Sequence, residues 1–339
     1  MKAFILDRYK KKQPLRLGDV PEPTMGDGDV LVAIEATALN PLDLKIRDGD
    51  FKVLLKYRPP FVLGHDLAGT VLRVGRDVRR FKVGDAVYAR PRDGRIGTFA
   101  ERIAVDEADL ALKPKTLSMA EAASIPLVGL TAWQAFVELA PLKQGDKVLI
   151  HAGSGGVGTI AIQLAKHLGA TVATTTSAGN ADLVRSLGAD VVIDYKTQDF
   201  EKVLSGYDVV LNSLGSDTLR KSLDVLRPGG KLISISGPPD PTFAKAAGLN
   251  WGVVQVMRLL SLGIRRKAKT RGVDYVFLYM RASGAQLAEI TAKIEAGILR
   301  PVLDRVVPFE ATDRAMSEIE SGRTKGKVVI AVKPEGAAT

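Results

Sequence analysis

Apolar and polar residues follow two different rhythms along this chain. In the first third the apolar runs are short, Val30–Ala36, Leu67–Val74 and Asp85–Ala89, and they are broken by Pro21, Pro23, Gly26, Gly28, Gly75 and Gly84. Short β-forming runs set apart by glycine and proline predict a small β-barrel over residues 1–123. From about residue 124 the rhythm changes. Apolar strands at Val148–His151, Thr171–Thr176, Val191–Tyr195, Asp208–Asn212 and Leu232–Ser236 are each followed by a helical or turn segment. Repeated strand–helix units predict a parallel sheet with helices on both faces over 124–298, an α/β architecture. Tyr275–Met280 reads as a sixth strand and Ala285–Ala296 as a helix closed by Gly297; residues 299–339 return to β-like segments, the last being Lys327–Val332, which are expected to rejoin the barrel. No internal repeat or low-complexity segment interrupts this plan.

The junction after Ile150 carries the clearest chemistry. Gly153, Ser154, Gly155, Gly156, Val157 and Gly158 stand between a strand and a run with apolar residues at 157, 160, 161, 164, 165 and 168, stopped by Gly169. That spacing is a G-x-G-x-x-G turn: the first glycine permits the tight turn, the second lets backbone approach a pyrophosphate, and the third lets helix pack on strand. The unpaired amides of the helix N-terminus favour an anion there. The next strand ends at Ser177, 19 positions beyond Gly158, where such folds meet the adenosine ribose, and Thr174, Thr175, Thr176 and Ser177 supply hydroxyls but no carboxylate. A carboxylate would bind the free ribose hydroxyls of NAD and repel a 2′-phosphate, whereas hydroxyls donate to it, so NADP(H) is the expected cofactor. Threonines are also ordinary strand formers. Asn212 and the Ser236–Gly237 turn fall at later strand ends, on the carboxyl side of the sheet where ligands bind.

Composition narrows the possibilities. The chain has 339 residues, 25% of them charged, and no cysteine, which rules out disulfides and thiolate metal sites. Its three histidines, His65, His151 and His167, lie far apart, so no metal centre is expected. The net charge of +10 is scattered, without the basic–aromatic interleaving of a single-strand binder. No nucleic acid partner is expected, and the field suits an anionic cofactor. The N-terminal apolar run is too short for a secretory signal and no run reaches the ~18 residues of a membrane span, which points to the cytoplasm and against stable membrane insertion. The longest apolar stretch, residues 249–264, is interrupted by Asn250, Gln255 and Arg258 and followed by the basic run 265–271. It reads as a lid or interface helix, or as an amphipathic membrane-surface segment.

Four motifs in order, residues 38–49 (ALNPLDLKIRDG), 63–69 (LGHDLAG), 81–88 (FKVGDAVY) and 152–158 (AGSGGVG), together with 300–309 and 326–330, resemble the medium-chain dehydrogenase/reductase superfamily, best its zinc-free quinone and enone reductase branch. The resemblance spans nearly the whole chain. It implies a GroES-like β-barrel catalytic domain with a Rossmann dinucleotide-binding domain, substrate in the cleft between them, and a homodimer. Asn40 stands where zinc enzymes of the family carry a cysteine ligand, and their four-cysteine zinc loop is missing. Without a Lewis acid, reduction depends on placing the substrate and on donors to the oxygen that gains charge. A quinone or α,β-unsaturated carbonyl spreads that charge, so modest donors suffice.

The resemblance also supplies candidate residues. Asn40 would hydrogen-bond substrate oxygen or nicotinamide ribose, with Asp43 and Lys45 nearby; an Asp43–Lys45 ion pair that fixes the loop is an equal alternative. Tyr279 would line the substrate side or belong to the core. Thr131 would lie near the nicotinamide, Ser177 and Tyr195 at the 2′-phosphate, and Arg323 and Lys325 at the adenine–phosphate end or on the open surface. The reading that follows is an NADPH-dependent reductase of quinones or conjugated carbonyls. The alternatives are zinc-free alcohol or aldehyde oxidoreduction, and an NADPH-binding interaction protein without catalysis that docks through 249–271.

Overall fold

A computed structural model describes residues 1–52, 54–55 and 57–333. Two compact units are present, one made of Met1–Leu130 with the chain from Arg281 onward, the other of Thr131–Met280.

The first unit is built on antiparallel strands, except that Leu303–Pro308 and Lys327–Ala331 pair in parallel. One sheet runs in the order Leu303–Pro308, Lys327–Ala331, Asp29–Ala38, Asp66–Val74, Ala86–Ala89 and Leu110–Leu112, with Arg102–Asp106 also pairing on Asp29–Ala38. A smaller sheet holds Arg16–Asp19, Lys2–Leu6 and Phe61–Val62. Period-two residues Val30, Val32 and Ile34 meet Leu67, Val71, Val87 and Ile103 in the core. Each such side chain contributes about 1.5–3 kcal/mol on burial. The chain end does rejoin this unit: Val329 sits opposite Ala38 and Ile330 opposite Thr37.

The second unit is a six-stranded parallel sheet in the order Val191–Asp194, Thr171–Thr176, Lys147–Ile150, Tyr207–Asn212, Leu226–Ser234 and Asp274–Phe277. The sequence changes direction along the sheet between the second and fourth of these, so Lys147–Ile150 lies at its centre. Val148, Leu149 and Ile150 are wholly buried, as expected for a strand covered on both faces.

Two expectations need correction. The units divide at 130/131 and 280/281 rather than at 123 and 298, because the helix Gly284–Glu295 packs on the first unit. Gly284 lies so close to the strand Leu110–Leu112 that a Cβ there would stand 2.1 Å from the Leu110 carbonyl oxygen, and the Tyr88 hydroxyl donates to Leu287 O at 2.8 Å. The sixth strand stops at Phe277, which leaves Tyr279 beyond it.

Candidate functional site

In the second unit, the chain leaves Lys147–Ile150 through Ala152, held at φ 53°, and turns into the helix Gly156–His167. The glycines here differ in what they do. A Cβ on Gly153 would stand 2.1 Å from Thr174 Oγ1, and one on Gly158 would stand 2.4 Å from Ala152 O and 2.7 Å from Gly153 Cα. These two close the turn against the sheet. Gly155, the helix N-cap, meets nothing closer than Ala152 O at 3.3 Å, so its missing side chain keeps space open rather than permitting packing. No side chain caps this N-terminus and no acid stands in its first turn, which leaves Gly156, Val157 and Gly158 ready for an anion.

Around that turn lies a set of hydroxyl and amide groups. Ser154 Oγ accepts from Thr176 Oγ1 at 3.0 Å and from Asn180 Nδ2 at 3.0 Å, and Asn180 Nδ2 lies 3.4 Å from Ser177 Oγ. The Tyr195 N–H donates to Thr176 O at 3.2 Å while its side chain is 59% exposed. Ser154, Ser177 and Tyr195 are thus brought to one end of the sheet. Sequence reading had placed the Thr176 hydroxyl there but missed Asn180, whose position three residues after Ser177 was the only hint. The cradle fits the pyrophosphate of a dinucleotide.

The other predicted cofactor residues are spread more widely. Asn212, wholly buried, accepts from Leu214 N–H at 2.8 Å through Oδ1 and so shapes the turn after its strand. Ser236 Oγ donates to Leu214 O at 2.6 Å, and Gly237 N–H donates to Ser234 Oγ at 2.8 Å. Thr131 is buried in the helix Pro126–Trp133. Arg323 lies exposed in the first unit, after the helix Thr312–Ile319.

Beneath the nucleotide turn sits His151, closed in by Phe200 at 4.7 Å between ring centroids. Its Nδ1 meets Thr175 Oγ1 at 3.1 Å and its Nε2 meets Ser222 Oγ at 3.0 Å. Burial pushes its pKa down to about 3, so it is neutral and structural.

In the first unit, strand register assembles a buried polar cluster. Asp66 pairs with Ala38, and Val329 pairs with Ala38 from the other side, which brings Lys327 to Asn40. Lys327 Nζ donates to Asn40 Oδ1, to Asp66 Oδ2 at 3.1 Å and to Leu39 O at 3.0 Å. Asn40 Nδ2 donates to Asp66 Oδ2 at 2.9 Å and lies 3.3 Å from Ala38 O, and Asp66 Oδ1 accepts from Leu127 N–H at 2.7 Å. Asp43 accepts from Asn40 N–H at 2.8 Å and lies 2.6 Å from His65 Nδ1. That carboxylate holds the proton on Nδ1, and Nε2 is buried without a partner among the described residues.

Asn40 spends both of its amide N–H groups inside the cluster, on Asp66 Oδ2 and Ala38 O. One expectation changes here. Asp43 pairs with His65 and not with Lys45, because the two residues are two apart on the helix Pro41–Asp48 and project to different sides. Lys45 is half-buried; its backbone carbonyl accepts from Asp50 N–H at 2.9 Å, and its ammonium has no hydrogen-bond partner among the described residues. Tyr279 packs its ring 5.6 Å from Phe243 in the second unit. His65 matches the histidine ligand of the family's zinc enzymes and is here a hydrogen-bonded structural residue, whereas Asp66 and Lys327 were not singled out as a site by sequence and only register brings them to Asn40.

A zinc ion does not fit these residues. Asp66 is fully engaged, Lys327 places a cation at the same spot, and no group of three or more potential ligands occurs among the described residues. Nor is any helix among the described residues long and apolar enough to cross a membrane.

Comparison with known proteins bears on this geometry. The family model described as alcohol dehydrogenase GroES-like domain matches residues 26–115, and the one described as zinc-binding dehydrogenase matches residues 187–330. The chain is 37% identical to 2-methylene-furan-3-one reductase of Solanum lycopersicum, over 97% of this chain and 79% of that one. It is 34% identical to the Danio rerio protein named NAD(P)H oxidoreductase RTN4IP1, mitochondrial, over 98% and 91%. Among solved structures, the quinone oxidoreductase from Coxiella burnetii superposes with a TM-score of 0.86 at 31% identity, covering 98% of this chain and 99% of that one.

Proposed function

The chain belongs to the medium-chain dehydrogenase/reductase superfamily, in its quinone and enone reductase branch, and from that premise we propose that it is an NADPH-dependent reductase of quinones or α,β-unsaturated carbonyls. The observation that carries the cofactor half is the rim around Ser154, where Thr176, Ser177 and Asn180 offer hydroxyls and an amide, while Asp194, opposite Thr176 on the next strand, accepts from Lys196 N–H at 3.1 Å. Gly155 leaves room for the pyrophosphate, and the first turn of Gly156–His167 supplies amides to it. NADPH, when bound, supplies the hydride.

The substrate half rests on chemistry. Among the described residues no group of three or more potential metal ligands occurs, and the Asn40–Asp66–Lys327 cluster is closed on itself. A conjugated acceptor, which moves negative charge to a distant oxygen, requires only modest donors. Lys45 is the uncommitted cation of the first-unit motif, and we assign it to that oxygen. The names of the tomato reductase and the Coxiella protein point to the same substrate class. We further propose a cytoplasmic homodimer.

The test is the loss of NADPH absorbance against a quinone, an open-chain enone, a 2-alkenal and a saturated aldehyde, each repeated with NADH. Turnover of the first three with NADPH preferred supports the reading; turnover of the saturated aldehyde alone sinks it in favour of simple aldehyde reduction. Ser177→Asp is expected to lower kcat/KM for NADPH about tenfold or more and to spare NADH, since it sets a carboxylate against the 2′-phosphate.

A further inference from the structure

The helices Trp251–Leu260 and Leu262–Thr270 are joined by Ser261 without loss of the backbone ladder: Ser261 N–H donates to Met257 O at 3.0 Å, and Arg265 N–H to Ser261 O at 3.0 Å. Burial continues through the junction as well. Val254, Met257, Ser261, Ile264 and Ala268 are buried, spaced by threes and fours. On the opposite side Gly252, Val256, Leu259, Gly263, Arg266 and Thr270 keep the same spacing and are exposed. Residues 251–270 therefore present one continuous face to solvent.

That face has two halves of different character. The first is apolar, with Trp251 78%, Leu259 70%, Leu260 65% and Val256 54% exposed. Contiguous exposure of four large apolar side chains marks a contact surface. The second half is basic, and residues 251–270 contain no Asp or Glu at all. Lys267 turns to Asp224, but among the described residues no ion pair holds Arg258, Arg265, Arg266 or Lys269. Arg265 and Lys269, with Asp274 and Tyr275, also line an open depression of about 430 Å³.

We propose that this face docks on an anionic lipid surface, with Trp251, Val256, Leu259 and Leu260 seated at the headgroup–acyl boundary and Arg265, Arg266 and Lys269 on the headgroups. The charge pattern selects this occupant over a second copy. In a two-fold interface the face would meet itself, setting cations against cations or against bare apolar side chains, with no acid in 251–270 to answer them. An anionic bilayer satisfies both halves, and an amphipathic helix lies in its interface without crossing.

Flotation of the full chain with vesicles of equal parts phosphatidylserine and phosphatidylcholine tests the proposal. The chain is expected to float with these vesicles at low salt, to be released at high salt and to ignore pure phosphatidylcholine. Tryptophan emission should shift to the blue on binding, and Trp251→Ser should abolish the shift. The triple variant Arg265→Gln, Arg266→Gln, Lys269→Gln should partition about a hundredfold more weakly, about fivefold for each charge. Its NADPH oxidation should match that of the parent, which reports an intact fold. Absence of flotation overturns the proposal, as does flotation unchanged in the triple variant. Lipid-free self-association that Leu259→Ser abolishes also overturns it and assigns the face to a second copy.

Discussion

Single residues in this protein act through what surrounds them. Lys327 is held by Asn40, Leu39 and Asp66 in a space almost closed to water. Lys327→Met removes the cation and leaves the buried Asp66 carboxylate uncompensated, a change of about 3–5 kcal/mol in stability. Urea unfolding is the measurement, and a loss under 1 kcal/mol would show that the ion pair is not what holds the cluster. His151 offers a second case with a definite sign. Its folded pKa of about 3 lies below the ordinary 6.5, so the unfolded chain takes up a proton that the folded chain refuses. The stability it supports is present above pH 6.5 and is lost as pH falls toward 3. Between pH 7 and pH 5 this amounts to about 2 kcal/mol, and His151→Gln should unfold in urea with that much less pH dependence than the parent.

At the scale of elements, the nucleotide turn separates two roles that its three glycines share in sequence. Gly158→Ala drives a Cβ into the Ala152 carbonyl oxygen at 2.4 Å and should destabilise the protein by about 1–3 kcal/mol with or without NADPH. Gly155→Ala meets only one atom, at 3.3 Å, so it should leave the thermal midpoint of the free protein nearly unchanged while weakening NADPH binding. Thermal unfolding with and without NADPH distinguishes the two. This turn was legible in the sequence because glycine spacing is a direct record of close approach. Ala152 at φ 53° was not, since alanine carries no preference for the left-handed region. The Ser154–Thr176–Asn180 contacts were half legible: the lack of an acid at the end of Thr171–Thr176 could be seen, but the partner on the next turn could not. The Asn40–Asp66–Lys327 cluster was invisible, because it depends on two strand registers, one setting Ala38 opposite Asp66 and the other setting it opposite Val329 near the far end of the sequence.

For the whole molecule, net charge and topology matter most. A chain of charge +10 should draw the more anionic cofactor, so kcat/KM for NADPH is expected to fall with rising salt, and more steeply than that for NADH. Equal slopes would show that the field is spread too evenly to steer. Two-rhythm patterning announced a strand-rich architecture and a parallel α/β one, and even the return of the chain end to the first, but not where the chain passes between them. The placement of Gly284–Glu295 was missed because its amphipathic pattern states that a face is buried, not against which sheet. The order of the sheet around Asp29–Ala38 has a consequence for biosynthesis. The edge at Ala36–Ala38 is completed only by Lys327–Ala331. On the ribosome, at ~5–20 residues per second, that edge stays open for about 15–60 s, long enough for the entire inserted nucleotide unit to emerge and close first. A strand made early is thus finished late, and a chaperone guarding a nascent chain of this kind has the barrel, not the nucleotide sheet, to protect.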